Sequence, residues 1–295
     1  MRLSFKVLPQ NVDWRDIRDF WVQADEIPSY YAGWLFDHFV PQVSKPSPDA
    51  LPSILEVDRP DGPCFEAWTM LTYLAAHTSR VRLGTLVSSA THRHPAVFAK
   101  IIATLDELSG GRVELGVGAG WSGPEHEQLG IYFPPLKERF DRFEEYLSVL
   151  TLLFSPGPVS FDGRYYSLRD ATCNPLPVQK PRPPICVGGK GEQRALPSVA
   201  RWADHWSYPG GSVEEFIAKR ELLGQLCANE GRSIDDLDVS IQLKLTDVDT
   251  LMRDAHAYVA AGVNHLVVRF TPPLSRADLL LVADRACSEF DVEAS

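Results

Sequence analysis

The chain has 295 residues, of which 44% are hydrophobic and 23% are charged, and its formal net charge is −10 at pH 7. This composition is typical of a globular protein with a large core, and the negative charge disfavours a broad nucleic-acid-binding face. The five cysteines form no CxxC pair, and the sequence shows neither a signal peptide nor a membrane-spanning apolar run. We therefore expect a cytoplasmic protein with reduced thiols and no nucleic-acid or membrane partner.

Strand-like and helix-like segments alternate along the whole chain. Strands are predicted over Leu3–Leu8, Trp34–Phe39, Arg82–Ser88, Val113–Val117, Pro184–Gly188, His205–Tyr208, Val239–Leu245 and His265–Phe270. Helices are predicted over Trp14–Ile27, Phe65–Thr78, Pro95–Leu108, Lys137–Phe154, Glu192–Trp202, Val213–Glu230, Val248–Ala261 and Arg276–Glu289. Eight strands alternating with eight helices predict a single-domain (β/α)8 TIM barrel over residues 1–295, with an open doubly wound sheet as the alternative.

Two connections are too long to be simple turns. They are Pro41–Pro63 and Ser155–Pro183, both rich in proline. Long loops in a compact domain usually belong to a binding site or its lid, so we expect Ser155–Pro183 to be an insertion that covers the site.

The stretch "GWLFDHFV" places Asp37 and His38 at the end of the second predicted strand. The carboxyl ends of barrel strands carry the active site, and strand alternation sends these two side chains to opposite faces. We expect His38 to face the barrel mouth, because imidazole exchanges protons near neutral pH. Asp37 would orient a neighbouring segment by hydrogen bonds. The alternative is that both residues only cap a strand end.

The stretch "GVGAGWSG" contains the pattern GxGxxG at Gly118, Gly120 and Gly123. The pattern alone suggests a dinucleotide-binding turn, but it follows the fourth strand, whereas that fingerprint usually opens the first βαβ unit. The alternative is a backbone that a planar ligand can approach closely, since glycine has no Cβ.

The stretch "CVGGKGEQRA" runs from a strand through Gly188, Gly189, Lys190 and Gly191 into a helix. Exposed N–H groups before a helix favour an anion site, and this fold places phosphate sites on its late βα loops. The alternative is a tight turn without a ligand.

The stretch "TLVSSATHRHPA" ends the third predicted strand with small side chains that could line a flat ligand. His92 and His94 follow them. We expect no metal site, because no carboxylate or cysteine is spaced in the sequence to complete one.

Taken together, "GWLFDHF", "LGTLVSSATHRHPAVFAK", "GGRVELGVGAGWSGPEHEQLG", "FDGRYYSL" and "PPICVGGKG" resemble the bacterial-luciferase-like superfamily. The resemblance runs from about Trp34 to Trp206 and is strongest to the branch of coenzyme F420-dependent oxidoreductases. It implies a barrel that binds a flavin or 5-deazaflavin at the carboxyl ends of the strands.

The resemblance also implies roles for individual residues. His38 matches the active-site histidine that faces the deazaflavin ring, and the third strand matches a bulge behind the ring that often contains a non-proline cis peptide. The cofactor's acidic tail would run toward Arg59, Arg93 or Arg194. The expected cofactor-binding residues are Asp37, Leu86, Val87, Ser88, Gly118, Gly188, Gly189, Lys190 and Gly191.

One position departs from the sugar-phosphate dehydrogenases of this superfamily, which carry a glutamate where this chain has Trp121. Glu125 lies close in sequence but is offset, so we do not transfer the role of general acid to it. A sugar phosphate is therefore disfavoured as substrate, and Trp121 predicts an apolar or aromatic substrate pocket.

The leading hypothesis is hydride transfer between reduced coenzyme F420 and a small organic substrate. The alternative is a monooxygenase that uses reduced FMN delivered by a separate flavin reductase, and a third possibility is a non-catalytic barrel that only binds a flavin-type molecule. The resemblance further implies a homodimer that packs through the helices after strands two and three.

Overall fold

Nine strands of one parallel sheet close into a barrel in the computed structural model, which describes residues 1–42 and 59–294. The strands of the described chain are β1 Arg2–Val7, β2 Tyr30–Leu35, β3 Arg82–Thr85, β4 Ser88–Ser89, β5 Val113–Gly118, β6 Val159–Asp162, β7 Ser167–Ala171, β8 Ile185–Gly188, β9 His205–Tyr208, β10 Asp238–Lys244 and β11 His265–Phe270. The order in the sheet is β3-β2-β1-β11-β10-β9-β8-β5-β4, and a further β3–β5 pairing closes it. Since β3 and β4 are two pieces of one interrupted strand, the barrel has eight strand positions, and the predicted (β/α)8 fold is confirmed.

Helices follow the strands around the outside of the barrel. They are α1 Trp14–Asp25, α2 Ala67–Ala75, α3 Pro95–Ser109, α4 Gly123–Leu129, α5 Leu136–Leu153, α6 Ala195–Trp202, α7 Val213–Asn229, α8 Val248–Ala260 and α9 Arg276–Glu289. Ser212 and Asp247 cap α7 and α8 by accepting backbone N–H bonds, as their side chains predict. Among the described residues, no helix combines the length and the apolar character needed to cross a membrane.

Strand alternation divides the core into two compartments. In β1, Leu3, Phe5 and Val7 are fully buried in the main hydrophobic core, and Phe5 meets the ring of Trp21 from α1 edge to face at 5.0 Å. The intervening Ser4 and Lys6 bond to residues of other barrel strands, so the barrel interior is partly polar.

The second strand ends earlier than its apolar run predicts. It covers Tyr30–Leu35 rather than Trp34–Phe39, and it pairs with β3 only as far as Leu35 and Thr85. The predicted third strand, Arg82–Ser88, is also interrupted after Thr85. Because β2 loses its regular neighbour there, the chain leaves the sheet after one last bond, from the Leu86 N–H to the Leu35 carbonyl at 2.8 Å. Asp37 and His38 therefore lie in the loop after β2.

The two long connections predicted from the sequence are Ser155–Pro183 and Pro41–Pro63. Ser155–Pro183 contains an antiparallel hairpin of β6 and β7, which is joined to α5 because the Glu145 carboxylate accepts N–H bonds from Arg164 and Tyr165. Of the predicted loop Pro41–Pro63, residues 43–58 lie outside the described residues.

Buried histidines in the barrel predict that stability falls in acid. His205 and His265 stack at 5.1 Å and are almost completely buried. Burial lowers the pKa of His205 to about 3 and the pKa of His265 well below 6.5. The unfolded chain binds these protons near pH 6.5 and the folded chain does not, so stability should fall as the pH drops from about 6.5 to about 3.

One neighbouring group opposes this trend. Burial raises the pKa of Asp238 to about 6, so its folded carboxyl takes up a proton earlier than the unfolded one. Because two histidines destabilise the folded state in acid and one carboxyl stabilises it, the net free energy of unfolding should still decrease. We expect a lower midpoint of urea unfolding at about pH 5 than at about pH 8, and a smaller difference in His205→Asn. Equal urea midpoints of the parent protein at these two pH values would contradict this expectation.

Candidate active site

The loop after β2 places His38 directly beside Glu125, in the first turn of α4. The His38 Nδ1 lies 2.7 Å from Glu125 Oε2, and the Phe39 amide donates to Glu125 Oε1 at 2.7 Å. The Glu125 side chain is 1% exposed and that of His38 is 12% exposed. Sequence reasoning did not connect these residues, although Gly123 and Pro124 signal a helix start that puts Glu125 in a first turn.

The charge on Glu125 determines which ring nitrogen of His38 is open to a ligand. Burial acts to raise the pKa of Glu125, but the hydrogen bonds from His38 and Phe39 bring it below its ordinary value of 4.5. The carboxylate is therefore ionised near neutral pH and accepts the proton of His38 Nδ1. His38 Nε2 has no hydrogen-bond partner among the described residues, so it can donate to or accept from a ligand.

Asp37 has a different partner. Its carboxylate is almost completely buried and accepts two bonds from the Arg93 guanidinium, at 2.5 and 2.9 Å. Arg93 also pairs with Glu66, whose side chain caps the start of α2. Asp37 therefore anchors the loop after β2 to the segment before α3, and its contact with a cofactor stays a prediction. Arg93, one of the basic residues expected near the acidic tail, is engaged by these two carboxylates.

The interruption between β3 and β4 forms a ledge that consists of Leu86 and Val87. The Leu86–Val87 peptide bond is cis, as the resemblance implied. The Leu86 carbonyl accepts a bond from Lys6 Nζ at 2.9 Å. Ser88, predicted to bind cofactor, turns its hydroxyl into the core, where it accepts from Trp68 Nε1 at 2.9 Å.

Lys6 is a buried cation that sequence reasoning did not single out. It is 3% exposed and donates to Gln242 Oε1 at 2.7 Å as well as to the Leu86 carbonyl. Burial, with a smaller effect of Arg269, lowers the pKa of Lys6 to about 7. Its only signal in the sequence is a charged residue at an inward position of an otherwise alternating strand.

The ledge meets two of the predicted glycines. A Cβ on Gly118 would lie 2.9 Å from Val87 Cγ2, and a Cβ on Gly188 would lie 3.3 Å from both Val87 methyl groups. An added Cβ would overlap the Val87 side chain at Gly118 and would press tightly against it at Gly188. The structure therefore brings Val87, Gly118 and Gly188 together at the carboxyl ends of the barrel strands. The bond from the Leu86 N–H to the Leu35 carbonyl joins this ledge to the end of β2, just before the loop that carries His38.

The loop from Gly188 to Gly191 leads into backbone N–H groups that make no hydrogen bond within the described residues. Gly189 has φ +132° and donates to the Ser207 carbonyl, while the N–H groups of Lys190, Gly191 and Glu192 have no partner among the described residues. Lys190 Nζ bridges the Gly210 carbonyl at 3.0 Å and Glu215 Oε2 at 2.9 Å. The loop is longer than predicted, because α6 begins at Ala195 rather than Glu192.

Trp121 lies over the outer side of His38. The two rings meet edge to face at 5.4 Å, and Trp121 is 50% exposed. It precedes α4 and places a partly exposed aromatic ring beside His38, which is consistent with the predicted apolar or aromatic pocket.

Comparison with known proteins identifies the family. The family model described as Luciferase-like monooxygenase matches residues 1–284. The chain belongs to this family. A curated relative, the F420-dependent glucose-6-phosphate dehydrogenase of Microbacterium testaceum, is 32% identical over 99% of this chain and 84% of its own length. The family resemblance read from the sequence motifs is thus confirmed.

Solved structures share the family's fold. An F420-dependent secondary alcohol dehydrogenase in complex with an F420–acetone adduct has a TM-score of 0.80 at 17% identity, with 99% of both chains covered. The coenzyme F420-dependent tetrahydromethanopterin reductase of Methanopyrus kandleri has a TM-score of 0.79 at 19% identity, covering 98% of this chain and all of the other.

Proposed function

We propose that this family member is a coenzyme F420-dependent oxidoreductase acting on a small apolar or aromatic organic substrate at the carboxyl-terminal mouth of the barrel. The observation that carries the proposal is the juxtaposition of three features: the open Nε2 of His38, the Val87 ledge between two glycines, and the unpartnered N–H groups after Gly189. The F420-dependent relative named above supports the choice of cofactor.

The residues present fit a deazaflavin. Gly118 and Gly188 add no side chain beside Val87 of the ledge, and the N–H groups of Lys190, Gly191 and Glu192 can receive a phosphate. Lys190 can assist them, although Glu215 partly neutralises its charge. When bound, the cofactor supplies the hydride, and the protein supplies position and electrostatics.

His38 would handle the proton. With Nδ1 held by Glu125, only Nε2 can reach a substrate oxygen. Protonated His38 donates from Nε2 when a carbonyl is reduced, and neutral His38 accepts there when an alcohol is oxidised. The hydrogen bond to Glu125 holds the Nδ1 proton and fixes the orientation of the ring.

The substrate class rests on Trp121. A half-exposed indole beside His38 favours an apolar or aromatic surface, whereas a sugar phosphate would need charged or hydrogen-bonding partners at this position. We therefore expect aromatic or alkyl ketones, imines or secondary alcohols to react faster than glucose 6-phosphate.

Cofactor titration tests the proposal directly. The purified protein should quench F420 fluorescence at micromolar concentrations or below and bind FMN more weakly. Substrate-dependent oxidation of reduced F420 without oxygen consumption would support hydride transfer. Tighter FMN binding with oxygen uptake would instead identify a reduced-FMN monooxygenase served by a flavin reductase, and binding without turnover on any carbonyl, imine or alcohol would indicate a non-catalytic barrel.

Removing the charge on Glu125 should weaken turnover without removing His38. In Glu125→Gln, the side chain can present either its amide oxygen or its amide N–H to Nδ1, so the hydrogen of the imidazole is no longer fixed to that nitrogen. We expect kcat to fall by about 10–100-fold, with KM and F420 affinity little changed. A parallel loss of kcat and of F420 affinity would assign Glu125 a purely structural role.

Two further properties are proposed from the sequence. We propose a homodimer through α2 and α3, because Val97 and Leu108 of α3 are 56% and 66% exposed. Light scattering on the purified protein would test this, since a monomer at all concentrations would exclude it. We also propose a cytoplasmic location, because the five cysteines form no disulfide and free thiols are typical of a reducing compartment.

A further inference from the structure

A second group of side chains lies behind His38 and shares only Glu125 with the proposed chemistry. His92, Glu125 and His126 each offer one ligand atom, and these three atoms lie within 4.8 Å of one another. His92 Nε2 is 3.8 Å from Glu125 Oε2, the same oxygen that His38 contacts. A distance of 3.8 Å is too long for a hydrogen bond, but it suits two atoms that bind one ion at about 2.1 Å each.

His92 is the independent sign that something is bound here. Its side chain is 1% exposed, and neither ring nitrogen has a hydrogen-bond partner among the described residues. The rings of Phe39 and His126 pack on it at 4.7 and 5.1 Å. Buried polar groups in native proteins are almost always paired with protein, water or an ion, so an unpaired imidazole that lies beside a carboxylate calls for a ligand.

His126 is held in the form that a metal needs. Its Nδ1 lies 2.6 Å from the Ser122 carbonyl, which only accepts, so Nδ1 carries the proton and Nε2 carries the lone pair. The Thr91 hydroxyl bonds to Nε2 at 2.6 Å. That hydroxyl has a second partner in Ser89 Oγ at 2.6 Å, so it can turn away and release Nε2.

The local charge also favours a cation. Asp37 and Glu66 share the guanidinium of Arg93, whereas the partners of Glu125 are imidazoles and a backbone amide. Two imidazoles and one carboxylate form a ligand set that zinc and similar ions use, with positions left for water. The partly exposed His38 lies between the cluster and the surface residue Trp121, with its ring 6.4 Å from His92 and 5.4 Å from Trp121.

We propose that His92, Glu125 and His126 form a binding site for a divalent transition-metal ion such as Zn²⁺, and that a bound ion inhibits the enzyme by taking the Glu125 carboxylate from His38. The binding part stands on the cluster alone, and the inhibitory part rests on the proposed function.

Cobalt titration tests the binding part without cofactor or substrate. Chelator-treated protein should bind one Co²⁺ per chain and develop visible ligand-field absorption, which Zn²⁺ abolishes. His92→Gln should weaken Co²⁺ binding at least about tenfold. His94→Gln is the matched control, because His94 is exposed and two residues away, and it should bind as the parent does. Absence of ligand-field absorption in the parent, or loss of binding only in His94→Gln, would overturn the site.

A second variant guards against misfolding of His92→Gln. Thr91→Val removes the hydroxyl that occupies His126 Nε2, so it should bind Co²⁺ at least as tightly as the parent. Weaker binding in a folded Thr91→Val protein would contradict the proposed ligand set, whatever the state of His92→Gln.

Turnover tests the inhibitory part. Micromolar Zn²⁺ should slow the parent enzyme reversibly, with recovery on adding chelator, and His92→Gln should keep its rate within about twofold while losing at least tenfold in sensitivity to Zn²⁺. Equal inhibition of parent and His92→Gln would refute metal control at this site. Protein that shows the Co²⁺ absorption but no turnover with F420 would contradict the proposed function and leave the metal site standing.

Discussion

Replacing His38 with alanine should lower turnover by about 10²–10⁴-fold, the usual contribution of a positioned acid–base group. The reason is that His38 Nε2 is the open end of a pair whose other end is fixed by buried Glu125. F420 affinity should change little, because the ledge and the loop after Gly189 are built from other strands. Steady-state oxidation of reduced F420 and fluorescence titration of the cofactor measure the two quantities separately.

His77 supplies the control for this experiment. It is an exposed histidine just after α2, and its Nδ1 contacts the Tyr73 carbonyl. His77→Ala should leave both turnover and F420 affinity unchanged. If His38→Ala retains full turnover, the proton reaches the substrate from another group and the proposed role is wrong. If it loses cofactor binding in parallel, His38 serves the cofactor rather than the substrate.

Replacing Gly116 with alanine should destabilise the barrel by at least about 3 kcal/mol, the upper end of the range for overpacked cores. A Cβ at this position would lie 1.7 Å from the Thr85 carbonyl oxygen. That oxygen belongs to backbone at the end of β3, so it cannot move aside as a flexible side chain would. The shift would also displace the adjoining ledge, and residual folded protein should bind F420 more weakly. Urea unfolding of the two proteins measures the difference.

Gly123→Ala is the matched control for Gly116→Ala. The nearest atom to its added Cβ is Phe133 Cε1 at 3.5 Å, an ordinary contact, and the residue lies at the start of α4. Its unfolding midpoint should therefore correspond to a change within about 1 kcal/mol. Similar losses in both variants would show that the tight approach of β5 to β3 is not what limits substitution.

The fold could be predicted from the sequence because its information is local. Apolar runs alternating with amphipathic segments signal strands and helices wherever they lie, and eight such units leave few topologies. The end of β2 was predicted wrongly because it depends on a neighbouring strand that is distant in the sequence. Phe36 and Phe39 continue the apolar pattern, but pairing stops at Leu35 where the partner strand is interrupted.

The site was predictable only in part, for the same reason. His38, Val87 and Gly188 follow from strand ends and from the family resemblance. Glu125 does not, because its contact with His38 spans 87 positions in the sequence and depends on how α4 begins. The sequence around His92 offers no carboxylate to complete a metal site, whereas the structure brings Glu125 of α4 within reach of it.

The position of Trp121 has a consequence for how this protein can diverge. Glu125 and His38 bond to each other from α4 and the loop after β2, whereas Trp121 meets the imidazole edge to face and is half-exposed. On the proposed function, a change at residue 121 would alter the compounds accepted without dismantling the acid–base pair. New substrate preferences would then be accessible through single exchanges at one exposed position, while the chemistry beneath is inherited intact.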